Sequence, residues 1–321
     1  MQPLQSNPIH SGQPISSPPI SNKNDLNWES DPFLYMAGKR EHLVRVATDL
    51  KNKTQPGPSG FRIVITGKGG VGKTTLTATL AHLLSSEGRH VLAVDADPQQ
   101  NLAYSLGYPI ENSRDIVPLS ENPDYIGEKV GARPGGGPGQ LLCLTPDVSD
   151  VVERFGIHVS DGIDLLVMGT IRRAGGGCLC PENTLLESVI RYIRLRENEI
   201  ILLDTQAGVE HFGRSIAGGF LHSVVLAEPT FNSLSVAKDS ARFSAQLRIP
   251  SIHLVVNKTR HEKDRQKALH YLGNDHPFSS VWFLPWDEQV TEHEPDVRPL
   301  LTEPSRYVHA VKRLADALII P

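Results

Sequence analysis

The segment GKGGVGKTT at residues 67–75 sets glycines, a lysine and a hydroxyl in the spacing G-x-x-x-x-G-K-[ST]. That is the pattern of a loop that cradles phosphate. Glycines let the backbone curl tightly, so that its N–H groups converge on phosphate oxygens. The expected nucleotide-binding residues are Gly67, Lys68, Gly69, Gly70, Val71, Gly72, Lys73, Thr74 and Thr75. Lys73 supplies a point charge for the β- and γ-phosphates, the Thr74 hydroxyl can ligate Mg²⁺, and the helix that follows adds the partial positive charge of its N-terminus. The chemistry on offer is that of a nucleoside triphosphate bound through its phosphates.

Two further segments bear on phosphate chemistry. VLAVDADPQQNL places Asp95 and Asp97 at the end of a strand, where α/β sheets put ligand groups. ILLDTQAG ends another strand with Asp204 and has Gly208 four residues on. Taken alone, each aspartate reads better as a helix N-cap; the phosphate loop makes them site candidates. Asn257, in LVVNK, offers an amide that can read the donor–acceptor edge of adenine.

A second kind of chemistry sits in AGGGCLCPENTLLESVIRYI, where Cys178 and Cys180 are spaced C-x-C. Pro181 suits the first helical position, which puts Cys180 at the N-cap. A helix N-terminus favours the thiolate, the form that binds metal. One C-x-C supplies two sulfurs, whereas a soft metal takes about four ligands. Two-fold symmetry would bring two such pairs together as one four-thiolate site. Cys143, in LLCLT, is expected to be a core residue.

The elements that must position these groups alternate along the chain. FRIVIT, HVLAVD, IDLLVM, EIILLD, SVVLAE, SIHLVVN and VWFLP are short apolar runs, several of them continuous. Continuous runs suit strands buried on both faces of a mainly parallel sheet. Helices are expected at 73–86, 181–196 and 234–247. In the C-terminal segment, Val308, Val311, Leu314 and Leu318 fall on one face, which marks a last core-facing helix. The expected architecture is α/β, three layers, a mainly parallel sheet flanked by helices. Residues 112–140, ending in GARPGGGPG, read as an insertion or mobile loop. Residues 1–60, rich in Pro, Ser, Asn and Gln, read as a disordered or loosely structured extension with a short helix over 35–52. The ATPase domain is expected over 61–321.

These motifs carry a resemblance. KGGVGKTT resembles the phosphate loop of the deviant Walker A ATPases of the MinD/ParA kind. GGGCLCPENTLL and LLDTQAGVEHFGR look like segments of the CooC-type ATPases, nickel-inserting accessory proteins for carbon monoxide dehydrogenase. The resemblance implies the P-loop NTPase fold and an ATP-dependent homodimer. It implies that Lys68 reaches phosphates bound in the partner subunit, where an added cation stabilises transition-state charge. It makes Lys68, Lys73 and Asp97 catalytic, with Asp97 on the attacking water. It gives the Mg²⁺ shell to Thr74, Asp95 and Asp204, and movement on loss of the γ-phosphate to Gly208. Asn257 would read adenine beside a base-pocket loop, FLPWDEQV, that contains Pro285. Cys178 and Cys180 would hold Ni²⁺, or Zn²⁺ in its place, across the dimer for delivery to a carbon monoxide dehydrogenase-type client. The chain departs from this family at Thr205-Gln206, where a Met-Glu pair is usual, and in its long N-terminal extension. Its 13 histidines are scattered, which speaks against bulk nickel storage.

Composition narrows the alternatives. A net charge of -4 leaves no basic stripe for a primary nucleic-acid role. No run approaches the roughly 20 apolar residues that span a bilayer, and the C-terminal helix is not strongly cationic, so no stable membrane association is expected. Three cysteines are too few for a disulfide framework, which points to the reducing cytoplasm. Two other readings share the phosphate loop: a ParA- or MinD-like positioning ATPase, and an iron–sulfur reductase like the nitrogenase iron protein. The second could hold a cluster on the same four thiolates.

Overall fold

Each apolar run of the sequence forms a strand, and one more strand joins them. In the computed structural model the described residues are 60–97, 99–134, 142–143, 145–169, 180–193, 198–206 and 220–319. The expected N-terminal extension up to residue 59, with its helix over 35–52, lies outside them. The strands are β1 (Phe61–Gly67), β2 (His90–Ala96), β3 (Ile157–Ser160), β4 (Ile163–Val167), β5 (Glu199–Thr205), β6 (Phe220–Ala227), β7 (Ser251–Thr259) and β8 (Ser280–Pro285). They form one eight-stranded sheet in the order β3-β4-β2-β5-β1-β6-β7-β8. Every pairing is parallel except that of β3 with β4. The mainly parallel sheet flanked by helices is thus as expected; the antiparallel edge strand β3 was not anticipated.

The principal helices are α1 (Lys73–Ser86), α2 (Pro123–Val130), α3 (Cys180–Tyr192), α4 (Phe231–Gln246), α5 (Glu262–Leu272) and α6 (Arg306–Ile319). Alternation along the strands divides the core. Ile63, Ile65, Ala93 and Leu202 pack with Leu76 and Leu80 of α1 and with Val311, Leu314 and Leu318 of α6. Val64, Val94 and Leu203 face the other way, against Tyr125 and Ile126 of α2 and Leu185 and Val189 of α3. Val225, Leu254 and Val256 pack on that second side against Leu234 of α4 and Leu272 of α5. Helices on both faces satisfy strands that are apolar on both sides.

Two expectations are corrected. Residues 112–140 are not simply a loop. Short 3₁₀ turns at Ile110–Asp115 and Leu119–Glu121 lead into α2. Leu119, Tyr125, Ile126 and Val130 are buried. These apolar residues cap one face of the sheet, and only 135–140 of the expected loop lie outside the described residues. Cys143 is exposed, not a core residue. It lies in extended chain whose N–H donates to the Val130 carbonyl at 2.8 Å, closing off the end of α2 at the surface. Among the described residues, no helix is long and apolar enough to cross a membrane.

A buried cation joins β1 to α3. Arg62 is 5% exposed. Its guanidinium donates to the carbonyls of Ile190 at 2.9 Å, Arg191 at 3.0 Å and Ile193. These are end-of-helix carbonyls that lack partners within the helix. A cation is also favoured there by the helix dipole. Burial pulls the Arg62 pKa down to about 10, with Glu199 acting the other way, so the group stays charged at neutral pH. Arg62→Met is expected to destabilise the protein by about 2–5 kcal/mol, because several buried carbonyls lose their donor. Arg62→Lys should recover only part of this, since an ammonium cannot reproduce the fork. Chemical denaturation of the three proteins measures it.

Candidate functional site

The strand order decides where the site must lie. β5 separates β1 from β2, so the carboxyl ends of three adjacent strands carry the phosphate loop, Asp204 and Asp95. Asp95 and Asp204 are register partners on neighbouring strands. Both lie two residues beyond a side chain that packs on α1, so both carboxylates point to that helix's face. Each is at most 1% exposed. Burial, together with the other carboxylate alongside, lifts Asp95 to about 8. Burial likewise lifts Asp204 to about 7, against the pull of the Thr74 hydroxyl and the Lys73 ammonium. Two carboxyls buried side by side cannot both ionise freely, and the pair keeps a proton near neutral pH.

Their hydrogen bonds differ. The Thr74 hydroxyl donates to Asp204 Oδ2 at 2.7 Å. Asp204 Oδ1 is buried with no hydrogen-bond partner among the described residues. A bare buried carboxylate oxygen next to a hydroxyl suits a hard, oxygen-seeking cation such as Mg²⁺. Asp95 is engaged instead with its own chain. Its Oδ1 accepts from the Asp97 N–H at 3.0 Å and its Oδ2 from the Leu102 N–H at 3.1 Å. It therefore ties the backbone of Asp97 and of Leu102 to the end of β2. Asp97 sits half-buried and accepts from the Gln99 N–H at 2.9 Å.

The phosphate loop is braced from behind. A Cβ on Gly67, whose φ is +145°, would lie 2.3 Å from the Leu226 carbonyl oxygen of β6. A Cβ on Gly72 would lie 2.7 Å from Asn257 Nδ2. That amide donates to the Val71 carbonyl at 2.9 Å, and its oxygen accepts from the Lys258 N–H at 2.8 Å. Asn257 thus clamps the loop, leaving one amide hydrogen and one lone pair for a base. Lys258 was not singled out from the sequence. Its ammonium donates to the Gly70 carbonyl and to Glu228, each at 2.7 Å. The only hint was its place beside Asn257 at a strand end.

The lysines of the loop are set apart. Lys73 is buried, with its ammonium 3.3 Å from the Lys68 carbonyl oxygen. Burial lowers its pKa, and Asp204 and Asp97 oppose the shift. Lys68 is exposed, and among the described residues its ammonium has no hydrogen bond or ion pair. Thr205 is buried and donates to the Ile65 carbonyl at 2.9 Å, tying β5 to β1 just below the loop. A cleft of about 710 Å³ opens over these groups. Gly69, Gly70, Lys73, Thr74, Thr75, Asp97 and Gln206 line one part of it, and Asn257, Pro285, Trp286 and Asp287 line another. The expected base-pocket loop therefore does border the cleft. Gly208 and Cys178 lie outside the described residues. Cys180 is the first residue of α3. The helix starts one residue before the expected N-cap boundary, and nothing of that side chain is described. Among the described residues, no three or more His, Cys, Asp and Glu side chains converge as a metal site.

Comparison with known proteins agrees with this geometry. Residues 63–299 match the family described as CobQ/CobB/MinD/ParA nucleotide binding domain. The chain is 38% identical over 234 residues to an uncharacterized ATP-binding protein of Methanocaldococcus jannaschii, covering 73% of this chain and 88% of that one. It is 40% identical over 198 residues to the carbon monoxide dehydrogenase accessory protein CooC of Rhodospirillum rubrum, covering 62% and 74% respectively. A ParA family ATPase of Chlorobium tepidum shares the fold at a TM-score of 0.57, with 17% identity, over 82% of this chain and 100% of that one.

The buried carboxyl pair sets a pH dependence. Both folded pKa values lie above the unfolded value near 3.8, so the stability that the pair contributes is complete below that value. It is lost as pH rises through about 7 to 8. From pH ~6.5 to ~8 in EDTA, stability should fall by up to about 1.4 kcal/mol per pH unit for each proton the folded pair still holds, and level off at higher pH. The half-buried His222 and the buried His253, whose pKa values desolvation lowers, titrate below this window. Asp204→Asn, or Mg²⁺ at millimolar concentration, should flatten the slope. Thermal melts across the pH range read it directly.

Proposed function

Since the chain belongs to the CobQ/CobB/MinD/ParA nucleotide-binding family, we propose that it is an ATPase that carries a metal ion to a client enzyme. The cargo is Ni²⁺, or Zn²⁺ in the same place, held between two copies of the chain by Cys178 and Cys180. The client is a carbon monoxide dehydrogenase-type enzyme, in keeping with the likeness to the CooC protein. The observation that carries this reading is the tie between the two ends of the chemistry. The helix that begins at Cys180 is gripped at its other end by Arg62, and Arg62 belongs to the strand that runs into the phosphate loop. A nucleotide at the loop and a metal ion near Cys180 would then sit on one mechanical unit.

In this reading the loop amides and Lys73 bind the β- and γ-phosphates of ATP. Thr74 and Asp204 hold Mg²⁺, which when bound neutralises charge on those phosphates. Asp97 orients the attacking water, positioned by Asp95 through the backbone of the loop. Lys68 is directed outward and serves the nucleotide of the partner subunit, which makes turnover depend on dimerisation. Asn257 and Pro285 border the base. Nucleotide closes the dimer and brings the two cysteine pairs together; hydrolysis resets it. The work is done in the cytoplasm, where thiols stay reduced.

Two outcomes are expected. Lys73→Ala abolishes ATP turnover, measured as phosphate release, while circular dichroism and melting stay near those of the parent. Retained turnover would refute the phosphate-loop assignment. Cys178→Ser with Cys180→Ser removes Ni²⁺ or Zn²⁺, with about one metal per two chains in the parent, and weakens metal-linked dimerisation seen by light scattering. Unchanged metal content in that variant would move a positioning ATPase to first place. A brown, oxygen-sensitive parent protein would instead mark a cluster carrier.

A further inference from the structure

Beside the nucleotide cleft lies a second groove, of about 440 Å³, whose lining is unlike the rest of this acidic chain. It holds Arg260, Arg265, Arg306 and Arg313, with His261 and His309 between them, and one acid, Glu262. Arg306, His309 and Arg313 follow at spacings of three and four on α6, so they form one stripe along the helix. Arg260 and Arg265 face that stripe from the start of α5. All four arginines are exposed.

Their local partners leave charge unanswered. Glu262 meets Arg265 only at 3.9 Å, on the surface. Asp287, which Arg306 also attracts, already accepts from the Ser305 hydroxyl and the Tyr307 N–H. Two of the guanidinium planes are set by aromatic rings. Arg260 lies 4.4 Å from the Trp286 ring and Arg265 4.9 Å from the Phe283 ring. Stacking fixes the plane while leaving the N–H edges free, which favours bidentate recognition of carboxylates.

We propose that this groove is a docking site for an acidic segment of a partner protein, rich in Asp and Glu, and that its occupancy is linked to the nucleotide cleft through Trp286. The geometry favours a short acidic segment over nucleic acid. The cationic surface is confined to one groove, whereas a nucleic-acid backbone needs an extended basic track. The surrounding chain is net negative and repels an extended polyanion. The link has a physical route. Pro285 lines both cavities, and Trp286 lines the nucleotide cleft while its ring carries Arg260 of the groove. The docking claim goes beyond the metal-carrier reading and does not rest on it; only the nucleotide link assumes ATP binding.

The test titrates the full-length protein into a fluorescein-labelled hexaglutamate peptide and follows anisotropy at low and moderate salt. A hexaglutamine peptide, a single-stranded hexanucleotide and vesicles containing phosphatidylserine serve as parallel probes. Hexaglutamate should bind, and Arg306→Ser with Arg313→Ser should weaken it at least ten-fold. Arg306→Lys with Arg313→Lys should also weaken it several-fold, because charge is kept and the fork is lost. These side chains are exposed, so all variants should melt like the parent. ATP with Mg²⁺ should change the peptide affinity, and Lys73→Ala should abolish that change but not the binding itself. No hexaglutamate binding, or binding indifferent to the double variants, overturns the site. Tighter arginine-dependent binding of the oligonucleotide or the vesicles also overturns it, in favour of those surfaces. Peptide affinity unmoved by bound ATP overturns the link.

Discussion

The organising constraint of this molecule is a pair of carboxylates buried next to each other beneath the first turn of a helix. Two negative groups in that position repel and lack water, an arrangement that persists only because each has a distinct occupation. Asp95 is answered by two backbone N–H groups of its own loop. Asp204 is answered on one side by Thr74 and keeps a bare oxygen on the other. The same two positions in other hands would be a liability. Here the strand order puts them at the mouth of a phosphate loop, where an incoming cation resolves the repulsion. The unfavourable juxtaposition of the two carboxyls therefore favours a cation at that mouth.

Around that pair, the chain spends its polar side chains on holding backbone still. Asn257 and Lys258 grip the carbonyls of Val71 and Gly70, and Thr205 grips that of Ile65. Each bond fixes the orientation of a carbonyl. The N–H groups of the loop are consequently free to face an anion, which is what a phosphate cradle needs. Lys68 is exposed, Asp97 is half-buried with one carboxylate oxygen on the Gln99 N–H, and Gln206 lines the cleft.

The parts legible in the sequence were those fixed by local rules. Runs apolar on both sides could only be inner strands, and the spacing of Gly72, Lys73 and Thr74 could only suit a turn from strand into helix. Asp204 was legible because it ends such a run. What could not be read depended on partners far along the chain. Nothing near Arg62 announces that it ends a helix more than a hundred residues away. Asp95 and Asp204 looked equivalent, and only the path of residues 97–102 separates them. The segment around α2 looked like a loop because glycines and prolines crowd its end. Its few apolar residues are nonetheless enough to cover a sheet face. Cys143 misled in the opposite direction, since apolar neighbours in sequence do not guarantee burial of a chain that crosses the surface.

The grip of Arg62 on α3 has a leverage of its own. A helix of 13 residues is about 20 Å long. It is stiff along its axis, and its clamp lies at one extremity while Cys180 lies at the other. Leu185 and Val189 seat the same helix on the sheet between those ends, so a shift at the clamp is carried to its first turn by the whole rod and by the sheet beneath it.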